Sequence, residues 1–460
     1  MEFNTIKKTP LYRAFSELGK RIFLPEGIFF WSGRAKKEAD LNGTIGTAYA
    51  YEKDFIEGGA SDWMPCYLES LKEYFKNLNI NDLVPYASVA GIKELRETWK
   101  AWIIEKSLFD IKSENYKINW LEKYITLPTI TSGITNGLYL SCALFLDPGE
   151  IIISPNKRWG NYDNIVEKFI GAKIKSFEYF KEKKINIQGL KQAIDDVSKL
   201  QNKISIILNF PNNPTGYIPT WEEGQELLDL LKECQKSLEK SFVILVDDAY
   251  EPYIFNDGVL NRSFFYDLQQ IEQDIIPLKL DGITKELLLY GGRIGFVTIG
   301  LKPTWIKSDE ELQYLKNQIH NKLEGINRST ISNSNMFYQA VTQKIFINKG
   351  ISKIIQMRDK VKEVLKYRYE KINSELMKIE DPDITIDPNY GGFFVFVNLD
   401  PKKIKANKFA DYLLTKYKVG VIPIEKEEEQ INGIRIAYCS IDVKKIPEMV
   451  NRIKLALKDF

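Results

Sequence analysis

Histidine is almost absent from this chain: His320 is the single one in 460 residues. Ser-His-Asp and Cys-His nucleophile systems, and metal sites built from several histidines, have almost no raw material. Cysteine is scarce too. Cys66, Cys142, Cys234 and Cys439 lie far apart and form no CxxC pair. That pattern fits a reduced interior rather than a disulfide framework or a zinc site, and no metal is expected. Apolar runs such as Leu138–Leu146 fall well short of the roughly 20 residues that cross a bilayer. The opening Met-Glu-Phe-Asn-Thr-Ile-Lys-Lys carries no apolar signal core. No basic block stands out: 64 Lys and Arg against 62 Asp and Glu, spread along the length, leave a formal charge of +2. Neither nucleic acid nor a membrane is an expected partner, and a cytoplasmic location is expected. Chemistry with so little histidine needs another source of reactivity, and a cofactor is the natural one.

What is present is enough apolar residue, 44%, to bury a large core, and two domains are expected. Residues 1–60 read as an irregular arm joined to the smaller domain, with Phe29-Phe30-Trp31-Ser32-Gly33 at its centre. Residues 61–330 read as the large domain. Within it, strands are predicted at Tyr124–Ile130, Glu150–Ser154, Lys173–Phe177, Ile204–Asn209, Phe242–Val246, Ile275–Leu280 and Ile294–Ile299, with helical stretches between several of them. Such alternation predicts an α/β fold with a mostly parallel sheet, whose ligands sit beyond the carboxyl ends of the strands. Residues 331–460 read as a smaller α+β domain, opening on a helix over about Ser352–Ile379.

The chain is organised around Asp281-Gly-Ile-Thr-Lys285, which follows the strand Ile275–Leu280, and the Gly-Gly-Arg293 turn beyond it. An ammonium in so apolar a frame is poorly solvated. Its pKa falls, and the neutral amine can attack a carbonyl to form a Schiff base. Arg293 offers a forked guanidinium suited to a phosphate. Four more features fall at strand ends. Thr131-Ser-Gly133-Ile134-Thr135 opens a helix, where free amides attract anions, or where Ser132 or Thr135 merely caps. Asn209-Phe-Pro-Asn-Asn213-Pro-Thr-Gly216 is a turn whose prolines aim Asn213 as a neutral donor. Asp247, in Val246-Asp-Asp-Ala-Tyr250, emerges from a buried strand and needs a cation, from an arginine or a protonated pyridine. Trp159, in Trp-Gly-Asn-Tyr162, can cover a flat ring or belong to the core.

In order and type these motifs resemble the class I/II aminotransferases of fold type I, which use pyridoxal 5'-phosphate (PLP), over nearly the whole chain. The Trp-Gly-Asn stretch is most similar to the aspartate branch. The resemblance implies that Lys285 binds PLP as a Schiff base and shuttles the α-proton, and that Asp247 keeps the pyridine nitrogen protonated. Tyr250 and Asn213 would bond the ring's phenolic oxygen. Arg293 and the amides around Gly133, Ile134 and Thr135 would hold the phosphate, and Trp159 would stack on the ring. Tyr86 matches a tyrosine that reaches the neighbouring subunit's phosphate, which implies a homodimer with shared sites. Arg435, in Gly-Ile-Arg-Ile, matches the arginine that clamps the substrate's α-carboxylate, and Gly46 the glycine segment that closes over it. The implied reaction moves an amino group from an acidic or aromatic L-amino acid to a 2-oxo acid such as 2-oxoglutarate.

Two positions depart from the pattern. Gly282 stands where the family usually has a phosphate-binding serine, leaving that contact to Thr284 or to another group. Tyr162 replaces the histidine of the aspartate branch, which leaves open how Asp247 is supported. Arg328 lies where dicarboxylate enzymes read the distal carboxylate, or else is structural. Alternatives are a PLP lyase or aminocyclopropane-carboxylate-synthase-like enzyme of this fold, and a non-catalytic PLP-binding regulator. The latter would carry a helix-turn-helix domain ahead of the fold, for which residues 1–60 are too few and not basic.

Overall fold

Runs such as Ile206–Leu208 and Phe242–Val246 are apolar at consecutive positions, the mark of strands covered on both faces. The computed structural model describes residues 4–24, 27–76, 78–109 and 116–460. Seven strands form the main sheet: β1 (Thr129–Thr131), β2 (Ile151–Pro155), β3 (Lys173–Phe177), β4 (Lys203–Asn209), β5 (Ser241–Asp247), β6 (Ile275–Gly282) and β7 (Gly295–Ile299). Their order across the sheet is β1-β7-β6-β5-β4-β2-β3. Pairs from β6 to β3 are parallel, while β7 is antiparallel to both β6 and β1. β6 and β7 are joined by residues 283–294, which carry Lys285 and Arg293 and hold the one helical turn Ile283–Glu286, not a long crossover helix of the kind that usually links parallel strands. In register, Asp247 lies opposite both Asn209 and Leu280, so β4, β5 and β6 end together.

A second, antiparallel sheet comprises β8 (Ile384–Ile386), β9 (Phe394–Leu399), β10 (Ile422–Lys426) and β11 (Ile431–Ala437), in the order β8-β9-β11-β10. Arg435 sits in its inner strand, opposite Phe396 and Ile422. The helices Ala406–Tyr417 and Ile446–Asp459 pack against this sheet or against each other. The N-terminal segment joins the same unit, since Leu41–Asn42 pairs with Val419–Gly420.

Two expectations need correction. Phe29-Phe30-Trp31-Ser32-Gly33 is not irregular but part of a helix, Gly27–Glu38. Trp31 and Ala35, one turn apart, are its buried stripe, and Gly33 is tolerated because its outer side is open. Tyr124–Ile130 is not one strand: a helix occupies Ile118–Tyr124, and β1 pairs with β7 only over Thr129–Thr131. Pro128 has no N–H for a ladder, and its carbonyl accepts instead from Arg96 Nε at 2.7 Å. The helix expected over about Ser352–Ile379 is present at 351–376, and a further helical segment, 336–349, precedes it; the two meet at Gly350, whose φ of 72° and ψ of 164° only glycine adopts readily. No helix among the described residues is long and apolar enough to cross a membrane.

The single histidine lies on the helix Asp309–Thr330, with an Arg96 N–H facing its Nδ1 at 3.3 Å. Burial, with the charges of Arg96 and Lys316, pushes its pKa down from 6.5 to about 4. Between those values the unfolded chain binds the proton more readily than the folded one. His320 therefore favours folding above about pH 6.5, and that contribution is lost as pH falls toward 4. His320→Gln cannot titrate, so the Tm difference between wild type and variant should shrink in melts run at pH 5 relative to pH 7. An identical difference at both values would show that His320 carries no such linkage.

Candidate active site

A helical turn, Ile283–Glu286, follows β6 and places Lys285 between the buried side chains of Ile283 and Leu287. Lys285 Nζ lies 5.7 Å from the Tyr250 ring centre and 5.5 Å from that of Tyr290. Among the described residues no carboxylate or carbonyl accepts a hydrogen bond from it. Burial pushes its pKa down from 10.5 to about 8. Arg293 and Arg435 act in the same direction, against Cys439 and Asp247. The result is an amine with an appreciable neutral fraction near pH 7–8.

Asp247 closes β5 and is buried. Tyr162 donates to Oδ2 at 2.6 Å and the Ala249 N–H to Oδ1 at 3.1 Å. Burial nevertheless pushes its pKa up to about 6, more than these bonds and the Lys285 charge pull it down. Tyr162 thus answers the question raised by the missing histidine. It keeps its proton, because burial and the neighbouring carboxylate push its own pKa well up, and so it remains a donor. Asn209, at the end of β4, ties the pieces together. Its Nδ2 donates to the Asp247 carbonyl at 2.7 Å, and its Oδ1 accepts from the Asn213 N–H at 2.8 Å.

Arg435 reaches in from the smaller sheet. Its guanidinium donates to Asn213 Oδ1 and to the Thr44 carbonyl, both at 3.1 Å, and lies 4.2 Å from the Phe394 ring centre. The bond to Oδ1 turns the Asn213 amide so that its NH₂ is left as a donor. Arg435 Nε is buried with no partner, and among the described residues no carboxylate pairs with the group. Burial lowers its pKa to about 10, so it stays charged at neutral pH. A buried cation lacking an anion is costly, and a carboxylate ligand would offset that cost.

The fourth corner is the start of the helix Gly133–Phe145. Ser132 makes no side-chain cap, so the capping reading fails for that residue. Gly133 has φ +77°, and a Cβ there would lie 2.3 Å from the Arg293 guanidinium. Glycine therefore lets Arg293 close against the first-turn amides, forming a cradle for an anion. Gly282 also has a steric cause: a Cβ there would meet the Ile294 carbonyl oxygen at 2.7 Å and Gly295 Cα at 2.9 Å. Serine is excluded by the close approach of β6 and β7, and Thr284 is the hydroxyl that lines the cavity instead.

These groups surround one cavity of about 230 Å³. Lys285, Asp247, Tyr250, Asn213, Arg293 and Arg435 all line it, as do Ile134, Thr135, Trp159 and Gly46. Gly133 stands at its edge, against Arg293. Tyr86 and Arg328 do not line it. Tyr86 is 92% exposed, and Arg328 is on the surface, bonded to Ser332 Oγ. Sequence reasoning missed Ile28, which closes the mouth from the helix Gly27–Glu38. Nothing in the pattern could link it to a lysine so distant in the chain. Asn209 was visible as the first residue of the proline turn, but not as its clamp. The donor set fits PLP: an anion cradle, a depressed-pKa amine, a buried carboxylate without a cation bonded to it, and an indole wall.

The same conclusion comes from comparison with known proteins. The family model "Aminotransferase class I and II" matches residues 68–453. A probable aspartate/prephenate aminotransferase of Aquifex aeolicus (strain VF5) is 26% identical over 81% of this chain and 84% of its own. Aromatic-amino-acid aminotransferase 2 of Thermococcus litoralis is 25% identical over 85% of this chain and 88% of its own. The crystal structure of an aminotransferase from Anaerococcus prevotii superposes with a TM-score of 0.79 at 24% identity, covering 97% of this chain and 99% of that one. With the matched family model spanning both sheets, the chain belongs to the class I and II aminotransferases, enzymes that depend on pyridoxal phosphate.

Proposed function

We propose that this aminotransferase accepts acidic or aromatic L-amino acids as donors, aromatic ones preferentially, and passes the amino group to a 2-oxo acid such as 2-oxoglutarate. The observation that carries the preference is the cavity wall. Its lining cations are Lys285, Arg293 and Arg435, with Phe394 against the Arg435 guanidinium and Ile28 and Trp159 adding apolar lining. A side-chain carboxylate finds no spare cation on this chain's own wall and would depend on the partner's Arg328, whereas an aromatic ring finds surface to bury. The names of the Aquifex and Thermococcus relatives, which pair aspartate with prephenate and specify aromatic amino acids, support this range.

Bound PLP supplies a reactive aldehyde carbon and a protonated ring that draws off the electron pair left when the α-proton departs. The chain's own residues do the rest. Arg435 receives the α-carboxylate and orients the α-carbon. Lys285 Nζ would hold the cofactor and move the α-proton, which a pKa near 8 suits. Asp247, steadied by Tyr162, would keep the pyridine nitrogen protonated. Tyr250 and Asn213 would donate toward the ring's phenolic oxygen, and Trp159 would cover the ring. Arg293, the amides of Gly133, Ile134 and Thr135, and Thr284 in place of the absent serine would hold the phosphate. The Gly46 segment, tied to Arg435 through the Thr44 carbonyl, excludes water above the substrate. We read the enzyme as a cytoplasmic homodimer in which Tyr86 and Arg328 serve the partner's cavity. Their exposure here, and their absence from this chain's own cavity, support that arrangement.

Lys285→Ala should abolish turnover, and borohydride should fix the cofactor on the wild-type peptide containing Lys285. Label on another lysine would sink the assignment. Tyr162→Phe removes a bond that lowers the Asp247 pKa, so that pKa should climb above about 6. The acid limb of the kcat/KM profile should move to higher pH. Losing a hydrogen bond to a charged group, about 1.5–3 kcal/mol, should cut kcat about 10- to 100-fold. An unmoved acid limb would remove Tyr162 from this role. Spectra of the half-reaction should show faster conversion with L-tyrosine and L-phenylalanine than with L-aspartate. Arg328→Ala should cost the aspartate reaction more than the tyrosine reaction. Faster conversion with aspartate would overturn the preference, and equal losses would make Arg328 structural.

A further inference from the structure

Asp247, Tyr250 and Lys285 share a feature of sequence: each is followed at once by a carboxylate, Asp248, Glu251 and Glu286. The first residue of each pair lines the cavity, while the second is buried on an ion cluster behind it. Two buried lysines join the three acids. Lys279 Nζ lies 2.5 Å from Asp248 Oδ2 and 2.8 Å from Glu251 Oε2. Lys106 Nζ lies 2.7 Å from that same Glu251 oxygen and 2.8 Å from Glu286 Oε1. The outcome is a continuous chain, Asp248–Lys279–Glu251–Lys106–Glu286. It spans the end of β5, the turn after it and the turn that carries Lys285.

Each link is held from the side by a fixed donor. Ser263 Oγ donates to Asp248 Oδ2 at 2.6 Å, Tyr266 OH to Glu251 Oε1 at 3.2 Å, and Trp102 Nε1 to Glu286 Oε1 at 2.5 Å. Asp281 completes the cluster, 3.6 Å from Lys106 Nζ and bonded by Trp99 Nε1 at 2.9 Å. Oxygens of Glu251, Asp281 and Glu286 lie within 4.8 Å of one another, and Lys106 and Lys279 supply their countercharge. Such a cluster is an expensive way to stabilise a fold, because well-packed apolar residues often do as well. What it provides is position. Consecutive Cα atoms are about 3.8 Å apart across a rigid peptide, so pinning the second residue of a pair restricts the first.

We propose that Lys106 and Lys279 are positioning residues: the ion chain built on them holds Asp247, Tyr250 and Lys285 in register around the cofactor. The proposal rests on the reading of Lys285 as the cofactor lysine. Its scale follows from the geometry that catalysis demands, where a misplacement of about 1 Å costs on the order of 100-fold.

The test uses the PLP-loaded enzyme and two charge-conscious variants. Lys106→Met/Glu286→Gln removes one link without changing net charge and leaves Trp102 an acceptor. Glu251→Gln keeps the shape of the central link, its amide oxygen facing the lysines and its NH₂ facing Tyr266. In each, kcat should fall about tenfold or more with KM nearly unchanged, and the pH midpoint of the cofactor's absorbance band should shift from wild type. Thermal melts report the fold independently. Folded variants with wild-type kcat and an unshifted midpoint would overturn the proposal, as would loss of the fold in both, which would assign the cluster to stability alone. If borohydride fixes no cofactor on Lys285 of the wild type, the reading of the cavity has failed and this proposal falls with it.

Discussion

The carboxylate of Asp247 lies buried at the end of β5 with two hydrogen-bond donors and no cation bonded to it, and burial outweighs those donors and the Lys285 charge, leaving its pKa at about 6. The reverse problem stands across the same cavity, where Arg435 and Lys285 are cations withheld from water. Each group is destabilised in a direction that a particular ligand group relieves: a protonated ring nitrogen, a substrate carboxylate, a reactive carbonyl. Much of the surrounding structure serves to keep these charges close without letting them neutralise one another. The Asn209 clamp, the Tyr162 phenol and the crowded glycines at 133 and 282 are parts of that separation.

Behind the cavity the opposite rule holds. Lys106 and Lys279 are paired with carboxylates at hydrogen-bonding distance, and each bridges two acids. The strand ends therefore separate two electrostatic regimes within a few residues of chain. In front, charges are left without counterions and are ready for ligand. Behind, acids and lysines are paired with one another. The division is possible because successive side chains leave the backbone in different directions, on opposite faces of a strand and around the axis of a helix.

Much of the site was legible because its parts are short local motifs with one chemical purpose each. Lys285 and Arg293 stand on one turn, Asp247 and Tyr250 on another, and Asn213 in a turn constrained by two prolines. The parallel sheet was legible for a similar reason, since doubly buried strands such as Phe242–Val246 are apolar without alternation. The helix at Gly27–Glu38 was not, because aromatics and a glycine obscure a stripe only two residues deep, Trp31 and Ala35. Nor was the antiparallel course of β7, as strand direction leaves no trace in composition.

The amino-acid sequence alone determined the residue types, their local spacing and the apolar runs. From these followed the fold class, the cofactor chemistry and the choice of Lys285 as the candidate cofactor lysine. Tertiary structure decided everything that depends on residues far apart in the chain. It put Tyr162 beneath Asp247 in place of a histidine, and Arg435 against Asn213. It brought Ile28 to the cavity mouth and gathered five buried charges into one chain. The physical reason is that periodicity encodes which face of an element is buried, whereas hydrogen bonds and ion pairs between elements depend on distances that exist only once the elements have packed.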